Sequence, residues 1–271
     1  MIGVMRLFAL LAILLVNAAP GWSQDRPWTG ATGGILRLPN SNQAHDDGNA
    51  FGEAWGKIDR TLYRTTKDRM TVFALGNAVT DSAGHGYNST SKIGIGLAWS
   101  RQVTPALNVT LSLRHDWARE RDTGLRQQGL RAALDYYYYR YREAEPGLRM
   151  WGLPMRGTIL KSYGTLAYPG SLQDGDRNLV LTMGGELSRD LTLGRASLLM
   201  SPFLDVDMAW DLDGNDYNNK LVLGGGIKLR RPLPTGEIFA SARLQSDYSW
   251  QQDHDRLTVR PGIQIGWYVG F

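Results

Sequence analysis

The stretch Leu257-Thr258-Val259-Arg260-Pro261-Gly262-Ile263-Gln264-Ile265-Gly266-Trp267-Tyr268-Val269-Gly270-Phe271 decides the fold. Every odd position is apolar: Leu257, Val259, Pro261, Ile263, Ile265, Trp267, Val269 and Phe271. The even positions, Thr258, Arg260, Gly262, Gln264, Gly266, Tyr268 and Gly270, are polar, small or amphipathic. Side chains of an extended strand point alternately to opposite faces, so this pattern makes one face greasy and the other wet. Ordinary strands run to about five or six residues. A strand this long with an unbroken apolar face predicts hydrocarbon beside it.

The same code recurs upstream. Ile93, Ile95, Leu97 and Trp99 alternate with Lys92, Gly94, Gly96, Ala98 and Ser100, and Leu107, Val109, Leu111 and Leu113 alternate with Asn108, Thr110, Ser112 and Arg114. Neither segment has the spacing of a helix with one buried stripe. Read along the chain, the pattern predicts strands near 33–39, 49–60, 70–80, 91–101, 107–117, 130–142, 154–165, 177–188, 195–210, 220–231, 235–247 and 257–271. That is an all-β chain of about twelve antiparallel strands, the even number that a transmembrane β-barrel with both termini in the periplasm requires. The connectors alternate accordingly. Gln102–Ala106, Arg189–Gly194 and Arg231–Gly236 fall on the short, periplasmic side, and 40–48, 81–90, 118–129, 166–176, 211–219 and 248–256 on the outer side. Two expected periplasmic connectors, 61–69 and 144–153, are longer than this rule prefers. A large soluble β-sandwich with aromatic core residues is the competing architecture, and it would favour shorter strands and no long–short alternation.

Composition narrows the function classes. The chain has 271 residues, no cysteine, 30 Lys+Arg against 26 Asp+Glu, 32 glycines and 42% hydrophobic residues, with mean hydropathy −0.30. Without cysteine there are no disulfides, thiolate nucleophiles or cysteine metal sites. A net charge of +4 with interspersed signs gives no nucleic-acid footprint. The one long apolar run, Leu7–Val16, follows Arg6 and is too short to span a bilayer as a helix. With Pro20 and Gly21 breaking it, and Gly21-Trp22-Ser23 supplying small residues before Gln24, residues 1–23 are expected to be a cleaved secretory signal peptide. Residues 24–271 are then the barrel domain.

Aromatic placement fits two membrane–water boundaries. Trp117, Trp210 and Trp250 lie at expected outer strand ends and Trp267 near the periplasmic end, as in an aromatic girdle. The C-terminal Gln264–Phe271, with apolar Ile265, Trp267 and Val269 before a final Phe271, resembles the last strand of Gram-negative outer-membrane β-barrel proteins. That resemblance implies the bacterial outer membrane as location, its lipids and lipopolysaccharide as surroundings, and these four residues as a signal read by the barrel-assembly machinery. The stretch Thr29-Gly30-Ala31-Thr32-Gly33-Gly34-Ile35-Leu36-Arg37-Leu38-Pro39-Asn40-Ser41 is similar to the glycine-rich openings of barrels linked to exopolysaccharide secretion, with Ser41 where those have alanine. Ser201-Pro202-Phe203-Leu204 and the glycine-rich Leu223–Leu229 resemble barrel domains of the same systems. This implies a polysaccharide and its secretion partners as company for the chain.

Residues out of phase with the apolar faces should line the lumen. Among them are Lys92, Arg114, Arg131, Lys228, Arg230, Arg243 and Arg260 against Asp116, Asp135, Glu186, Asp205, Asp207, Glu237 and Asp247, with Tyr137 and Tyr139. Opposed charge predicts cross-strand ion pairs and a weakly selective path, since only an unopposed sign concentrates counter-ions in a pore.

Catalytic candidates are few. The four histidines, His45, His85, His115 and His254, include no His-x-Ser pair, and His85 beside Ser82, Ser89 and Ser91 sits on an expected loop. The loop opening Asp211-Leu212-Asp213-Gly214-Asn215-Asp216 starts like a calcium loop. It carries Asp216 where the turn glycine belongs and Val222 where the bidentate glutamate belongs, so it is read as a turn joining two strands, with weak calcium contact as the alternative, and no metal site or cofactor is expected of the chain. Three functions remain: a passive channel or accessory barrel in exopolysaccharide export and not an enzyme; a closed structural, adhesion or phage-receptor barrel; and a lipid-modifying outer-membrane enzyme.

Overall fold

The computed structural model describes residues 28–38, 49–82, 89–121, 123–170, 178–194, 197–212, 219–249 and 258–271. The expected signal peptide, His45, His85, His254, Trp250 and Asp213–Asp216 lie outside the described residues.

The strands are β1 (Trp28–Leu38), β2 (Phe51–Arg64), β3 (Asp68–Asp81), β4 (Thr90–Thr104), β5 (Leu107–Glu120), β6 (Arg126–Glu143), β7 (Arg149–Met150), β8 (Leu153–Tyr168), β9 (Val180–Thr192), β10 (Leu199–Asp211), β11 (Lys220–Leu233), β12 (Gly236–Ser249) and β13 (Thr258–Gly270). Each long strand pairs antiparallel with its sequence neighbour, β6 pairs directly with β8, and β1 pairs with β13. The two-residue β7 is a short ladder inside the β6–β8 turn, so twelve strands close the wall. Among the described residues there is no helix. Closure removes every sheet edge, the condition under which a β-structure can cross a bilayer.

The outer face is apolar because the alternation holds its phase around the circle. Ile93, Ile95, Leu97 and Trp99 on β4, Leu111 and Leu113 on β5, Leu204 on β10, Leu223 and Ile227 on β11, Leu244 on β12 and Val259, Ile263 and Ile265 on β13 are all exposed. In water this belt would be a severe liability; in a membrane it is the solvated surface. Strands of 13 to 15 residues such as β13, β5 and β4, tilted as barrels require, span about 35 Å. That covers a hydrocarbon core.

Five turns lie at the end that also holds Trp28 and Phe271, and they are mostly tight. The wide turn expected over 61–69 is corrected: β2 continues to Arg64 and β3 starts at Asp68, across a bulge between Thr61 and Tyr63. Thr65 allows this, since its hydroxyl accepts the Asp68 amide at 2.9 Å and closes a three-residue turn. Thr104 does the same for Leu107 at 3.1 Å, shrinking the expected 102–106 connector to Pro105-Ala106. The expected strand 195–210 begins only at Leu199, and its turn moves from Arg189–Gly194 to the segment after Thr192. β1 starts at Trp28 rather than residue 33, because its small residues pair fully with β2 from Trp28 opposite Arg60 onward. At the other end, Asn49 donates to Asp81 and Asn178 donates to Asp211, tying adjacent strand ends at two places on the rim.

The lumen as candidate functional site

Twelve strands occupy an intermediate regime. Eight-stranded barrels are filled by their own side chains and sixteen-stranded ones leave a wide channel, so here the inward residues decide. The strand register places Arg114, Arg131, Asp135, Tyr137, Tyr139, Glu186, Asp205, Asp207, Lys228, Arg230, Arg243 and Arg260 all on the inner face.

Along the β8–β12 wall the charges form a ladder. Nearest the tight turns, Arg230 donates to Asp190 at 2.7 Å and to Glu237 at 2.5 and 2.9 Å, and Ser201 completes Asp190 at 2.6 Å. One step up, Glu186 accepts from Lys228 at 2.7 Å and stands 3.8 Å from Lys161. The Lys228 ammonium also lies over Phe203 at 4.9 Å and Phe239 at 5.3 Å, so aromatic faces supply what a second carboxylate would. Higher still, Arg243 donates to Asp205 at 3.1 Å and the Tyr163 hydroxyl donates to Asp207 at 2.9 Å. On the facing wall Arg114 pairs with the fully buried Asp116 at 2.9 Å, beside Lys92 and Arg131, and Thr165 donates to Asp135 at 2.5 Å. Breaking one partner of such a shielded pair is costly, which is why so many charges sit together without unfolding the wall.

Tyrosines stand on the inner face among these charges: the register sets Tyr137 of β6 level with Tyr163 of β8 and Tyr139 level with Lys161, and Tyr268 of β13 beside Glu237 of β12. Tyr268 in turn lies 6.0 Å from Trp55, ring to ring. These inward rings are not packed away: Tyr137, Tyr139, Tyr163 and Tyr268 keep 46%, 40%, 45% and 45% of their surface open. Inward side chains with that much open surface border a space that holds solvent. The inner face therefore carries paired charges and, among them, half-open tyrosines.

Of the expected girdle, Trp117 and Trp210 are exposed on the outer face near one rim and Trp267 is exposed near the other. Ile265 and Val269 share the outer face of β13 with Trp267, while Phe271 closes the seam: its amide donates to Gly30 at 2.9 Å and Gly30 donates back at 2.8 Å. His115 faces outward against Trp117, with centroids 4.5 Å apart, away from the luminal hydroxyls. Among the described residues no group of three or more His, Asp and Glu is placed to hold a metal ion.

Trp55, Lys161, Tyr163 and Asp190 are site residues that the sequence reading did not single out. Trp55 was hidden because the outward residues of β2 are Gly52, Ala54, Gly56 and Ile58, too weakly apolar to set a phase. The signal was nevertheless there in Glu53 and Lys57, which flank Trp55 at two-residue spacing and share its face.

No family model matches the chain, and no curated protein matches it. Among solved structures, LpxR from Salmonella typhimurium is 10% identical over 88% of this chain and 99% of its own, with a TM-score of 0.44. An outer-membrane channel from Pseudomonas putida F1 is 8% identical over 94% and 100%, TM-score 0.45, and the KdgM porin 5% identical over 89% and 99%, TM-score 0.40. At such values the barrel assignment rests on the pairing of this chain's own strands, and the function on its own residues.

Proposed function

We propose that this barrel is an outer-membrane conduit or accessory barrel in the export of an envelope polysaccharide, with both termini and the tight turns in the periplasm. The observation that carries the reading is the set of half-open tyrosines on the inner face, Tyr137 level with Tyr163 and Tyr268 beside Glu237, set among paired charges. Sugar rings present C–H faces that stack on aromatic rings and hydroxyls that exchange hydrogen bonds with paired carboxylates and guanidinia. A lumen built this way offers a hydrated polymer many weak, interchangeable contacts and no deep well in which to stall. The similarity of Thr29–Ser41 to the openings of exopolysaccharide-secretion barrels supports the same reading.

The test has two parts. Deleting the gene should lower secreted polymer, and unchanged polymer removes the export role. In planar bilayers the purified barrel should conduct, with current noise altered by neutral oligosaccharides and reduced sensitivity when Tyr137 and Tyr139 are both changed to alanine. A barrel that assembles but does not conduct supports the closed structural or receptor reading instead.

A further inference from the structure

Of the five turns at the tight-turn end, the β6–β8 connector, residues 144–152, is the longest. β6, with 18 residues, pairs with β5 only as far as Tyr138 opposite Leu107, but continues beside β8 to Glu143 opposite Gly157. Beyond that point the chain stays ordered as a hairpin: Ala144 donates to the Arg156 carbonyl at 2.9 Å, Met155 donates to Leu148 at 3.0 Å, and β7 pairs with Leu153-Pro154. At its tip Leu148 and Trp151 are 46% and 62% exposed. Trp151 sits at φ 54°, a left-handed conformation uncommon for a large side chain, so the turn holds an exposed indole in place at a local cost.

Above this tip the outer face of β6, β8 and β9 carries the row Tyr138–Ser162–Gly185. Going toward the tight turns, the register row Arg140–Leu160–Leu187 is followed by Arg142–Thr158–Arg189. The apolar belt thus ends in arginines, and Arg149 and Arg156 add two more on the hairpin. All five are exposed and none has a carboxylate within salt-bridge distance among the described residues. The nearby acids do not cancel them: Asp190 is taken by Arg230 inside the lumen, Glu143 alternates to the inner face, and Glu145 alone shares the hairpin. Two strand spacings put Arg142 and Arg189 about 10 Å apart. That separation lets two guanidinia grip one phosphate group or a pair of neighbouring ones.

From this arrangement we infer that the β6–β8–β9 face is a docking surface for anionic phospholipid of the membrane leaflet on the tight-turn side. The arginines hold headgroup phosphates, and Trp151 and Leu148 anchor the hairpin tip in the interface. Uncompensated cations at the lower border of an apolar belt, with an amphipathic ring beside them, match a lipid in both of its parts; a soluble anion would leave the apolar half without purpose. The inference rests on the orientation proposed above, with the tight turns in the periplasm, which makes the lipid a phospholipid rather than lipopolysaccharide.

Orientation is checked separately. The chain has no cysteine, so Glu145→Cys provides a single thiol that an impermeant maleimide should label only after the outer membrane is opened. Labelling in intact cells overturns the orientation. The lipid site is tested by native mass spectrometry of the full barrel released from detergent containing equal phosphatidylglycerol and phosphatidylcholine. The expected result is retained phosphatidylglycerol, reduced at least tenfold by combined Arg142→Gln, Arg149→Gln and Arg189→Gln and restored by the three Lys replacements. Equal retention of the two lipids, or a Gln variant that assembles and still holds phosphatidylglycerol, overturns the inference. A photo-cross-linking residue at position 151 in cells should give lipid adducts; a discrete protein adduct replaces the lipid with a periplasmic partner.

Discussion

Glu186 shows what a single luminal residue does. Its carboxylate accepts a hydrogen bond from Lys228 at 2.7 Å and stands 3.8 Å from the Lys161 ammonium, both lysines being mostly shielded by the wall and Lys228 also lying over Phe203 and Phe239. Removing it leaves two ammonium groups facing each other, and removal of one partner from a buried pair typically costs about 3–5 kcal/mol. Glu186→Ala is therefore expected to lower the urea midpoint of the folded barrel in vesicles, with Glu186→Gln intermediate because it still accepts a hydrogen bond. Lys57→Ala is the contrast. Its pair with Asp59 is more open, and exposed pairs contribute about 0–1 kcal/mol, so the midpoint should move little. A larger loss at Lys57 than at Glu186 would mean that the ladder is not what stiffens the wall.

At the scale of the element, the β1–β13 seam closes the barrel with small residues opposite large ones. A Cβ on Gly34 would stand 2.1 Å from the Trp267 ring, whereas on Gly76 it would meet nothing nearer than a carbonyl at 4.0 Å. Gly34→Ala should cost about 1–3 kcal/mol from overpacking, and Gly76→Ala should be close to neutral. Refolding yields of both variants into vesicles, read as heat-modifiable bands on gels, measure the difference. Phe271 raises a separate issue. Its ring covers Gly30, and burial of one phenylalanine is worth about 1.5–3 kcal/mol. The resemblance of its strand to a barrel-assembly signal predicts that Phe271→Asp reduces assembly in cells well beyond its effect on spontaneous refolding. Equal losses in both settings would confine Phe271 to a structural role.

Taken as one object, much of the barrel's luminal charge lies in pairs of opposite sign, Arg230 with Asp190 and Glu237, Lys228 with Glu186, Arg243 with Asp205 and Arg114 with Asp116, with Arg131 an added cation opposite Arg114. Each pair's field dies away over a few ångströms, so the lumen as a whole holds little fixed potential. Conductance should show a cation-to-anion permeability ratio near one, within about twofold, and a reversal potential in a salt gradient reads it directly. The Glu186→Ala variant, with two lysines released, should shift that reversal potential toward anions.

Much of this was legible in the chain itself. The alternation of Leu257 to Phe271, and of Ile93 to Trp99, specifies an inner and an outer face because a one-residue slip would turn every apolar side chain into the lumen. Twelve strands, the outward phase of Trp117, Trp210 and Trp267 and the inward phase of the set from Arg114 to Arg260 follow from that period. What period cannot supply is distance between residues remote in sequence. Only the register of the assembled wall sets Tyr137 level with Tyr163 and carries Arg230 of β11 across β10 to Asp190 of β9, because strand stagger fixes which luminal residues share a level. The length of the 144–153 connector was likewise legible, but that it folds back on itself as a hairpin, with Met155 donating to Leu148 and Arg149-Met150 pairing with Leu153-Pro154, depends on backbone pairing that residue types alone do not specify.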